Sequence, residues 1–322
     1  MQKHKLRIVY MGTPDFAVSP LKKIVEAGFD VVGVVTNPDK PAGRGQKVQE
    51  SPVKRYAMEQ GISLLQPEKF RDEAFLQNLS AWKADLQLVV AFKMLPEVVW
   101  AMPPLGTINL HASLLPDYRG AAPINWAVIN GETCSGVSTF LLSHEIDTGK
   151  IIFQEKVAIR EEMSAGDLHD LLMERGAELL VKTVEAVEKN NYSLIDQSTL
   201  LKGREPKMAP KIYREDMKIN WAADVETVYN HIRGLSPYPA AWTELEHKET
   251  GELLTMKVTS AQKVVDKSGG MPGDICTDGK VWEVCVADGR IRLEEVQLSG
   301  KKRMKTGECL RGFKVQEYKI HN

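Results

Sequence analysis

The N-terminal segment constrains the fold most, because strand-like and helix-like patterns alternate there over short distances. Leu6 to Met11 is an apolar run, and Asp30 to Thr36 is a second run that is rich in valine. Between them, apolar residues recur at helical spacing from Phe16 to Val25. A strand, a helix and a strand of these lengths predict a parallel strand pair joined by a crossover helix. We expect Thr13 to cap this helix and Pro14 to be its first residue.

The remaining patterns divide the chain into an α/β part and a β part. Leu86 to Ala91 is a largely apolar run that fits a central parallel strand, and Ser164 to Asp167 resembles a capping box that starts a long helix. The last third instead has short alternating runs between glycine-rich turns. We therefore predict an α/β fold class: a Rossmann-like, mostly parallel sheet in a catalytic domain at 1–190, a polar linker at 191–209, and a small OB-like β-barrel domain at 210–322.

Composition excludes several classes of protein. A length of 322 residues fits about two domains, and a net charge of -1 excludes a polyelectrolyte. The four cysteines have no C-x-x-C spacing, so we expect neither a metal site nor disulfides, and a reducing cytoplasm fits. We expect no signal peptide and no membrane association, because the apolar runs are short. A dehydrogenase is disfavoured, because no G-x-G-x-x-G follows the first strand.

The candidate catalytic residues lie between Gly106 and Gly149. Asn109 and His111 alternate with apolar residues, so both point to the same face of a predicted strand. An amide donor and an imidazole at a strand end can polarise a carbonyl group and move a proton. Asp147 lies in a turn-like Asp-Thr-Gly, where its carboxylate could orient the histidine. On spacing alone, an Asn-x-His pair on a strand is usually a solvated or core-satisfied pair rather than a catalytic one.

Two basic segments are candidates for contact with nucleic acid. The segment 37–51 contains Lys40, Arg44 and Lys47 among prolines and glycines that should keep it out of helix and sheet. It is either a mobile surface loop or a basic finger that contacts phosphate. The segment 299–314 has six Lys or Arg and one acid, and is either a solvated face or a phosphate track. Its candidate phosphate contacts are Lys301, Lys302, Arg303 and Lys305.

These motifs together resemble the signature of the N10-formyltetrahydrofolate-dependent formyltransferase family. The family has N-x-H, then S-L-L-P-x-Y-R-G, then a distal D-x-G, and here these are Asn109 with His111, Ser113 to Gly120, and Asp147 with Gly149. The resemblance implies that a formyl group is taken from 10-formyltetrahydrofolate. It implies that Asn109 and His111 donate hydrogen bonds to the oxyanion, and that Asp147 orients His111 and helps to accept the amine proton.

The resemblance also implies binding residues and a formyl acceptor. Ser113, Leu114, Leu115 and Pro116 would line the folate side, and Phe92, Met94 and Leu95 the pterin pocket, although Lys93 stands where the family commonly has glycine. The whole chain, including Arg233 to Trp242 and Met11 to Ala17, resembles the branch that formylates initiator methionyl-tRNA. In that branch an insertion like 37–51 enters the acceptor arm of the tRNA. We therefore expect a cytoplasmic monomer that needs no metal.

Two other functions are compatible with parts of this pattern. A formyltransferase that acts on a small acceptor, either a purine-pathway amine or an amino sugar, would share 106–149 but would not need the two basic segments. An RNA-binding protein with a decayed enzyme domain would share the basic segments. Retention of Asn109, His111 and Asp147 argues against decay.

Overall fold

The computed structural model describes residues 5–42, 47–265 and 270–321, and within them the side chains of 40–42 and 47–48 are left undescribed. The chain divides into two compact units. The first unit comprises Met1–Gly120, Gly136–Val157 and His169–Met208. The second unit comprises Ala121–Ser135, Ala158–Leu168 and Ala209–Asn322. Each unit is therefore built from segments that are separated along the chain.

The bounds of the elements in the described ranges are as follows. The strands are β1 (Arg7–Gly12), β2 (Asp30–Val35), β3 (Lys40–Ala42), β4 (Lys47–Gln49), β5 (Leu64–Leu65), β6 (Leu86–Val90), β7 (Thr107–His111), β8 (Arg119–Gly120), β9 (Cys134–Leu141), β10 (Ile151–Ala158), β11 (Met208–Ala209), β12 (Ala241–His247), β13 (Leu253–Val264), β14 (Ile275–Thr277), β15 (Trp282–Cys285), β16 (Arg290–Leu298), β17 (Met304–Lys305) and β18 (Tyr318–His321). The α-helices are α1 (Val18–Glu26), α2 (Pro52–Glu59), α3 (Glu73–Ala81), α4 (Glu97–Trp100), α5 (Pro123–Ile129), α6 (Ala165–Glu188), α7 (Gln197–Leu201), α8 (Val225–Gly234) and α9 (Thr306–Cys309). The 3-10 helices are Asp15–Ala17, Glu215–Met217 and Val315–Glu317.

A mostly parallel sheet forms the centre of the first unit, as the strand and helix patterns predict. Its strand order is β10-β9-β7-β6-β1-β2-β5. The five strands β7, β6, β1, β2 and β5, which are adjacent in this order, run parallel to one another. Strand β9 runs antiparallel to β7. Strand β6 lies between β1 and β7, and all five of its residues are buried. Val90 pairs with Leu110, so β6 and β7 end side by side at the carboxyl edge of the sheet.

The start of the first helix differs from the prediction. Pro14 precedes the 3-10 helix Asp15–Ala17, and α1 begins only at Val18. Thr13 does not cap a helix, because its hydroxyl oxygen instead lies 3.4 Å from both the hydroxyl of Thr36 and the backbone nitrogen of Asn37. The chain after β1 therefore makes a tight 3-10 turn before the crossover helix. The Thr13 hydroxyl is instead a hydrogen-bond partner of the two residues that directly follow β2.

The prediction that 37–51 stays out of regular structure is wrong at its two ends. Lys40–Ala42 pairs antiparallel with Lys47–Gln49 to form a two-stranded hairpin. Pro41 pairs with Val48 within it. A proline is tolerated here because an isolated two-stranded ribbon leaves one side of each strand without a ladder partner. Residues 40–42 and 47–49 of the segment therefore form a two-stranded ribbon.

Helix α6 begins as the capping pattern predicts. The backbone N–H of Ser164 donates to the carboxylate of Asp167 at 2.8 Å, and the N–H of Asp167 donates back to the hydroxyl of Ser164 at 3.2 Å. This reciprocal pair satisfies two backbone donors that a helix start leaves without partners. The helix then runs to Glu188, which agrees with the long helix predicted from the sequence.

The second unit contains the predicted small barrel. Its sheet has the order β14-β15-β16-β13-β12-β18, and β17 also pairs with β16. Every one of these pairings is antiparallel, and the sheet is nearly closed. Trp282, Met256 and Leu245 are fully buried inside it, and Val228 and Ile232 of α8 pack in the same core. Burial of these apolar side chains is the main favourable contribution to the stability of this unit.

Candidate active site

Strand β7 carries two of the predicted catalytic side chains. Asn109 and His111 are two residues apart in the strand and therefore share one face. His111 is 7% exposed, and Asn109 is half-buried. No hydrogen bond to the Asn109 side-chain amide is present among the described residues, so its N–H donors are available to a ligand.

The backbone oxygen of Tyr118 fixes the tautomer of the neutral His111 ring. The Nε2 atom lies 2.8 Å from the backbone oxygen of Tyr118. A carbonyl oxygen only accepts hydrogen bonds, so Nε2 carries the hydrogen, and Nδ1 carries the lone pair in the neutral ring. Nδ1 faces Asp147, with 3.7 Å between Nδ1 and Oδ2. This separation is longer than a direct hydrogen bond, but it places a carboxylate beside any proton that Nδ1 takes up.

The Asp147 turn is held from several directions. The backbone N–H of Gly120 donates to Asp147 Oδ2 at 2.9 Å. The Gln197 amide donates to the carbonyl oxygens of Asp147 at 2.8 Å and Gly149 at 2.7 Å. Asp147 itself has a left-handed backbone with φ of 54°. A Cβ atom on Gly149 would lie only 1.7 Å from the oxygen of Leu141, so this position requires glycine.

Gln197 is a structural part of the site that the sequence did not indicate. It starts α7, inside the segment predicted to be a linker, and it is 2% exposed. Its side-chain oxygen accepts from Arg119 Nη2 at 2.6 Å and Nε at 3.1 Å, while its amide holds the Asp147 turn. Gln197 therefore connects the Asp147 turn to Arg119, the neighbour of Gly120. A glutamine in a polar segment has no local signal for this role.

Hydrogen bonds from strands β9 and β10 hold the loop after β7 against the sheet. The hydroxyl of Ser113 donates to the oxygen of Asp117 at 2.7 Å, and Ser138 donates to the oxygen of Ser113 at 2.6 Å. The Gln154 amide donates to the oxygen of Leu115 at 2.8 Å. Of the four predicted folate-lining residues, Ser113, Leu115 and Pro116 are buried and Leu114 is half-buried. Contact between these residues and folate stays a prediction.

Arg204 holds the same loop from the opposite end. Its guanidinium makes two hydrogen bonds to the carboxylate of Asp117, at 2.7 Å and 2.6 Å. The backbone N–H of Lys207 also donates to Asp117, at 3.0 Å. Burial acts to raise the pKa of Asp117, but these hydrogen bonds outweigh it and hold the pKa below its ordinary value. The Tyr118 oxygen that binds His111 is thus carried by a braced loop.

The predicted pterin residues follow β6 at the carboxyl edge of the sheet. Phe92 is half-buried and packs against the same apolar cluster as Leu95, which is 7% exposed. Met94 differs, because 75% of it is exposed. Since β6 and β7 end side by side, these residues lie at the same edge as His111. Met94 therefore offers a ligand more apolar surface than Leu95 does.

The predicted tRNA-binding residues are divided between the two units. Lys40 and Lys47 are in the hairpin of the first unit, where only their backbone is described. Arg44 lies outside the described residues. In the second unit, the side chains of Lys301, Lys302, Arg303 and Lys305 are exposed on and after the turn that follows β16. Arg303 is not a free cation, because it pairs with Glu295 at 3.6 Å.

Two further properties concern only the residues that the structure describes. They contain no group of three or more His, Cys, Asp or Glu side chains placed to hold a metal ion. Their helices include none with the length and apolar character needed to cross a bilayer.

The first unit is an α/β domain in which Asn109 and His111 share one face of β7 and Asp147 lies beside His111, and side chains of these types are able to catalyse group transfer. Two family models match the chain, one described as formyl transferase over residues 5–184 and one as formyl transferase, C-terminal domain, over 211–314. The chain belongs to the formyl transferase family.

Individual relatives add detail. A methionyl-tRNA formyltransferase of Bacteroides thetaiotaomicron is 55% identical over 323 residues, which cover 100% of both chains. The sugar 3N-formyl transferase WlaRD, solved in the presence of dTDP and 5-N-formyl-THF, has a TM-score of 0.64 at 19% identity and covers 93% of this chain and 100% of its own. HypX from Aquifex aeolicus in complex with tetrahydrofolic acid has a TM-score of 0.63 at 17% identity, and the match covers 98% of this chain but 51% of HypX. The two solved structures share the fold.

Proposed function

We propose that this chain transfers the formyl group of 10-formyltetrahydrofolate to the α-amino group of methionine on initiator methionyl-tRNA, for translation initiation. The observation that carries the proposal is 55% identity over the full length to a methionyl-tRNA formyltransferase. Fold alone does not select the acceptor, because a sugar formyltransferase has the same fold at 19% identity. The two basic segments also favour tRNA over a small acceptor, which would not need them.

The reaction requires a defined set of bond changes. The neutral amine attacks the formyl carbon, and a new C–N bond forms while the carbonyl oxygen becomes an oxyanion. The bond from that carbon to N10 of the folate then breaks. The amine nitrogen loses one proton and N10 gains one, so protons balance without any other reactant. The site must therefore stabilise an oxyanion and move a proton.

Asn109, His111 and Asp147 have the chemistry for these two tasks. The Asn109 amide donates to the oxyanion, and its lack of another hydrogen bond within the described residues supports this role. His111 joins it as a donor once Nδ1 is protonated, because the N–H of the neutral ring is engaged by Tyr118. The proton moves through Nδ1 of His111, because Nε2 is engaged by Tyr118. Asp147 stabilises the protonated ring and helps to accept the amine proton, which its 3.7 Å separation from Nδ1 supports.

The folate donor is assigned to the carboxyl edge of the sheet. The folate is proposed to contact the loop residues Ser113, Leu114, Leu115 and Pro116. Its pterin ring is proposed to contact the apolar residues Phe92, Met94 and Leu95. Exposed apolar surface on Met94 supports this assignment, since small-molecule sites are lined mostly by apolar side chains. Two solved structures of the same fold were determined with folates: WlaRD with 5-N-formyl-THF and HypX with tetrahydrofolic acid.

The tRNA is assigned to the two basic segments. Lys40, Arg44 and Lys47 contact the phosphates of the acceptor arm, and Lys301, Lys302, Arg303 and Lys305 contact the rest of the tRNA. In domain terms, 1–190 is the catalytic domain, 191–209 the linker and 210–322 the tRNA-binding domain. We place the enzyme in the cytoplasm as a monomer; sedimentation at micromolar concentration as a dimer would contradict the latter.

The acceptor is tested by offering several amines under one condition. Purified protein is given 10-formyltetrahydrofolate with charged initiator tRNA, free methionine, glycinamide ribotide or an amino sugar nucleotide. We expect formyl transfer to charged tRNA only, at a rate that falls as salt rises, because phosphate contacts release counterions. Faster transfer to either small acceptor would replace the proposed function with the small-acceptor alternative. Folate binding without any transfer would indicate a decayed enzyme.

A further inference from the structure

Lys54 of helix α2 forms ion pairs with a residue at each end of the β3–β4 hairpin. Lys54 lies in the first turn of α2, and its Nζ is 2.5 Å from Asp39 Oδ2 and 2.9 Å from Glu50 Oε1. Asp39 directly precedes β3, and Glu50 directly follows β4. A single ammonium group therefore joins the incoming and the outgoing chain of the hairpin.

A second set of hydrogen bonds fixes the same place. The Gln66 amide donates to the backbone oxygen of Asn37 and to Asp39 Oδ1, both at 2.9 Å. Both carboxylate oxygens of Asp39 are thus engaged. The hydroxyl of Ser51 accepts from the N–H of Lys54 at 3.0 Å and lies 2.8 Å from the hydroxyl of Thr36. The base of the hairpin is a polar network that joins the chain after β2, helix α2 and the chain after β5.

Charge makes Lys54 the central member of this network. Its side chain is 13% exposed, whereas lysines usually extend their ammonium group into water. The hydrogen bond to Asp39 raises the pKa of Lys54, and the same bond lowers the pKa of Asp39, so both are charged near neutral pH. Without Lys54, the carboxylates of Asp39 and Glu50 would face each other uncompensated. Their repulsion would then separate the two ends of the hairpin.

We propose that Lys54 is a positioning residue for tRNA: it fixes the direction in which the β3–β4 hairpin leaves the first unit, without touching the RNA itself. The inference rests on the proposed function, in which this hairpin binds the acceptor arm. A hairpin already held in one direction loses less conformational entropy on binding. Lys54 therefore contributes to tRNA affinity through Asp39 and Glu50, and it has no part in the chemistry at His111.

The test separates tRNA use from folate use in the full-length enzyme. For Lys54→Met we expect the KM for charged initiator tRNA to rise about tenfold, while the KM for 10-formyltetrahydrofolate and kcat at saturating tRNA stay within about twofold. Lys54→Arg keeps the positive charge and should restore most of the tRNA affinity. The matched control is Lys22→Met, since Lys22 pairs with Glu26 on α1 of the same unit but is 58% exposed. It should leave both KM values unchanged.

Outcomes distinguish this inference from the proposed function. If the wild type formylates charged tRNA and Lys54→Met has an unchanged KM for it, the inference is wrong and the proposed function stands. If the wild type does not formylate charged tRNA, both are wrong. Should Lys54→Met fail to fold, the variants Asp39→Asn and Glu50→Gln test the inference instead. Each of them removes one of the two ion pairs of Lys54 and keeps the lysine. Each should raise the KM for tRNA by a smaller factor, and no rise in either overturns the inference.

Discussion

The Nε2 atom of His111 lies 2.8 Å from the carbonyl oxygen of Tyr118, and this contact determines which ring nitrogen can react. Nε2 must donate, so proton transfer has to pass through Nδ1, on the side of Asp147. The Tyr118 backbone is itself fixed, because its N–H donates to the oxygen of Lys207 at 2.6 Å. A strand, the loop that follows it and a distant segment therefore cooperate to orient one imidazole.

Replacing His111 should abolish most of the activity. His111→Ala removes the group proposed to carry the proton, and we expect kcat to fall by about 10²- to 10⁴-fold. The measurement is single-turnover formylation of charged tRNA, with folate binding measured separately. His321→Ala serves as the control, because His321 pairs with Glu246 in the second unit. Near-normal turnover in His111→Ala would remove His111 from the mechanism.

Asp147→Asn tests the charge of the carboxylate while keeping its shape. The asparagine oxygen can still accept the Gly120 N–H, so the turn should remain folded. We expect kcat to fall by about 10²-fold or more, because the protonated His111 ring would lose its negative partner. Asp170→Asn provides the same change at a carboxylate whose side chain is 78% exposed, and it should be neutral. A rate equal to wild type in both variants would argue that Asp147 has only a structural role.

Gln197→Ala should weaken both stability and activity. It leaves the carbonyl oxygens of Asp147 and Gly149 without their donor and Arg119 without its acceptor. We expect the free energy of unfolding to fall by about 1–3 kcal/mol, with a lower kcat from misplacement of Asp147. Urea unfolding and formylation rate measure the two effects. Gln77→Ala removes an exposed glutamine and should change neither, and an unchanged kcat in Gln197→Ala would show that the turn is held without it.

Gly149→Ala should be strongly destabilising, because the added Cβ would meet the Leu141 oxygen at 1.7 Å. The turn must shift, and we expect a loss of about 3 kcal/mol of unfolding free energy together with activity. Gly312→Ala is the matched control, since no atom lies within 4 Å of a Cβ added there. Chemical denaturation of both variants measures the difference. Equal midpoints would mean that the backbone at Gly149 can relax at little cost.

Asp117 should make the protein sensitive to acid. Its pKa in the folded state lies below the ordinary value of 3.8, so its ionised form is stabilised by folding. Such a group contributes stability that is complete above its unfolded pKa and is lost as the pH falls through the folded pKa. The stability difference between wild type and Asp117→Asn should therefore be constant near neutral pH and shrink below about pH 4. A difference that persists in acid would show that the charge is not responsible.

Prediction from the sequence succeeded where short-range patterns carry the information. The strand–helix–strand order, the reciprocal cap of Ser164 and Asp167, and the barrel of the second unit all follow from local spacing. It failed where a side chain had a distant partner and where two short strands pair across a proline- and glycine-rich segment. Thr13 was expected to cap a helix, but its hydroxyl lies against the end of β2. The segment 37–51 was expected to be irregular, but its ends pair as strands.

The sequence by itself determined the α/β and barrel classes and placed Asn109 and His111 on one face of a strand, because residue periodicity and strand alternation act over a few positions. Only the tertiary structure decided that Gln197 holds the Asp147 turn across 50 residues and that Arg204 braces Asp117 across 87. Contacts of this range depend on how the whole chain closes and on which buried polar atoms still need partners. No short stretch of sequence carries information about either of these two contacts.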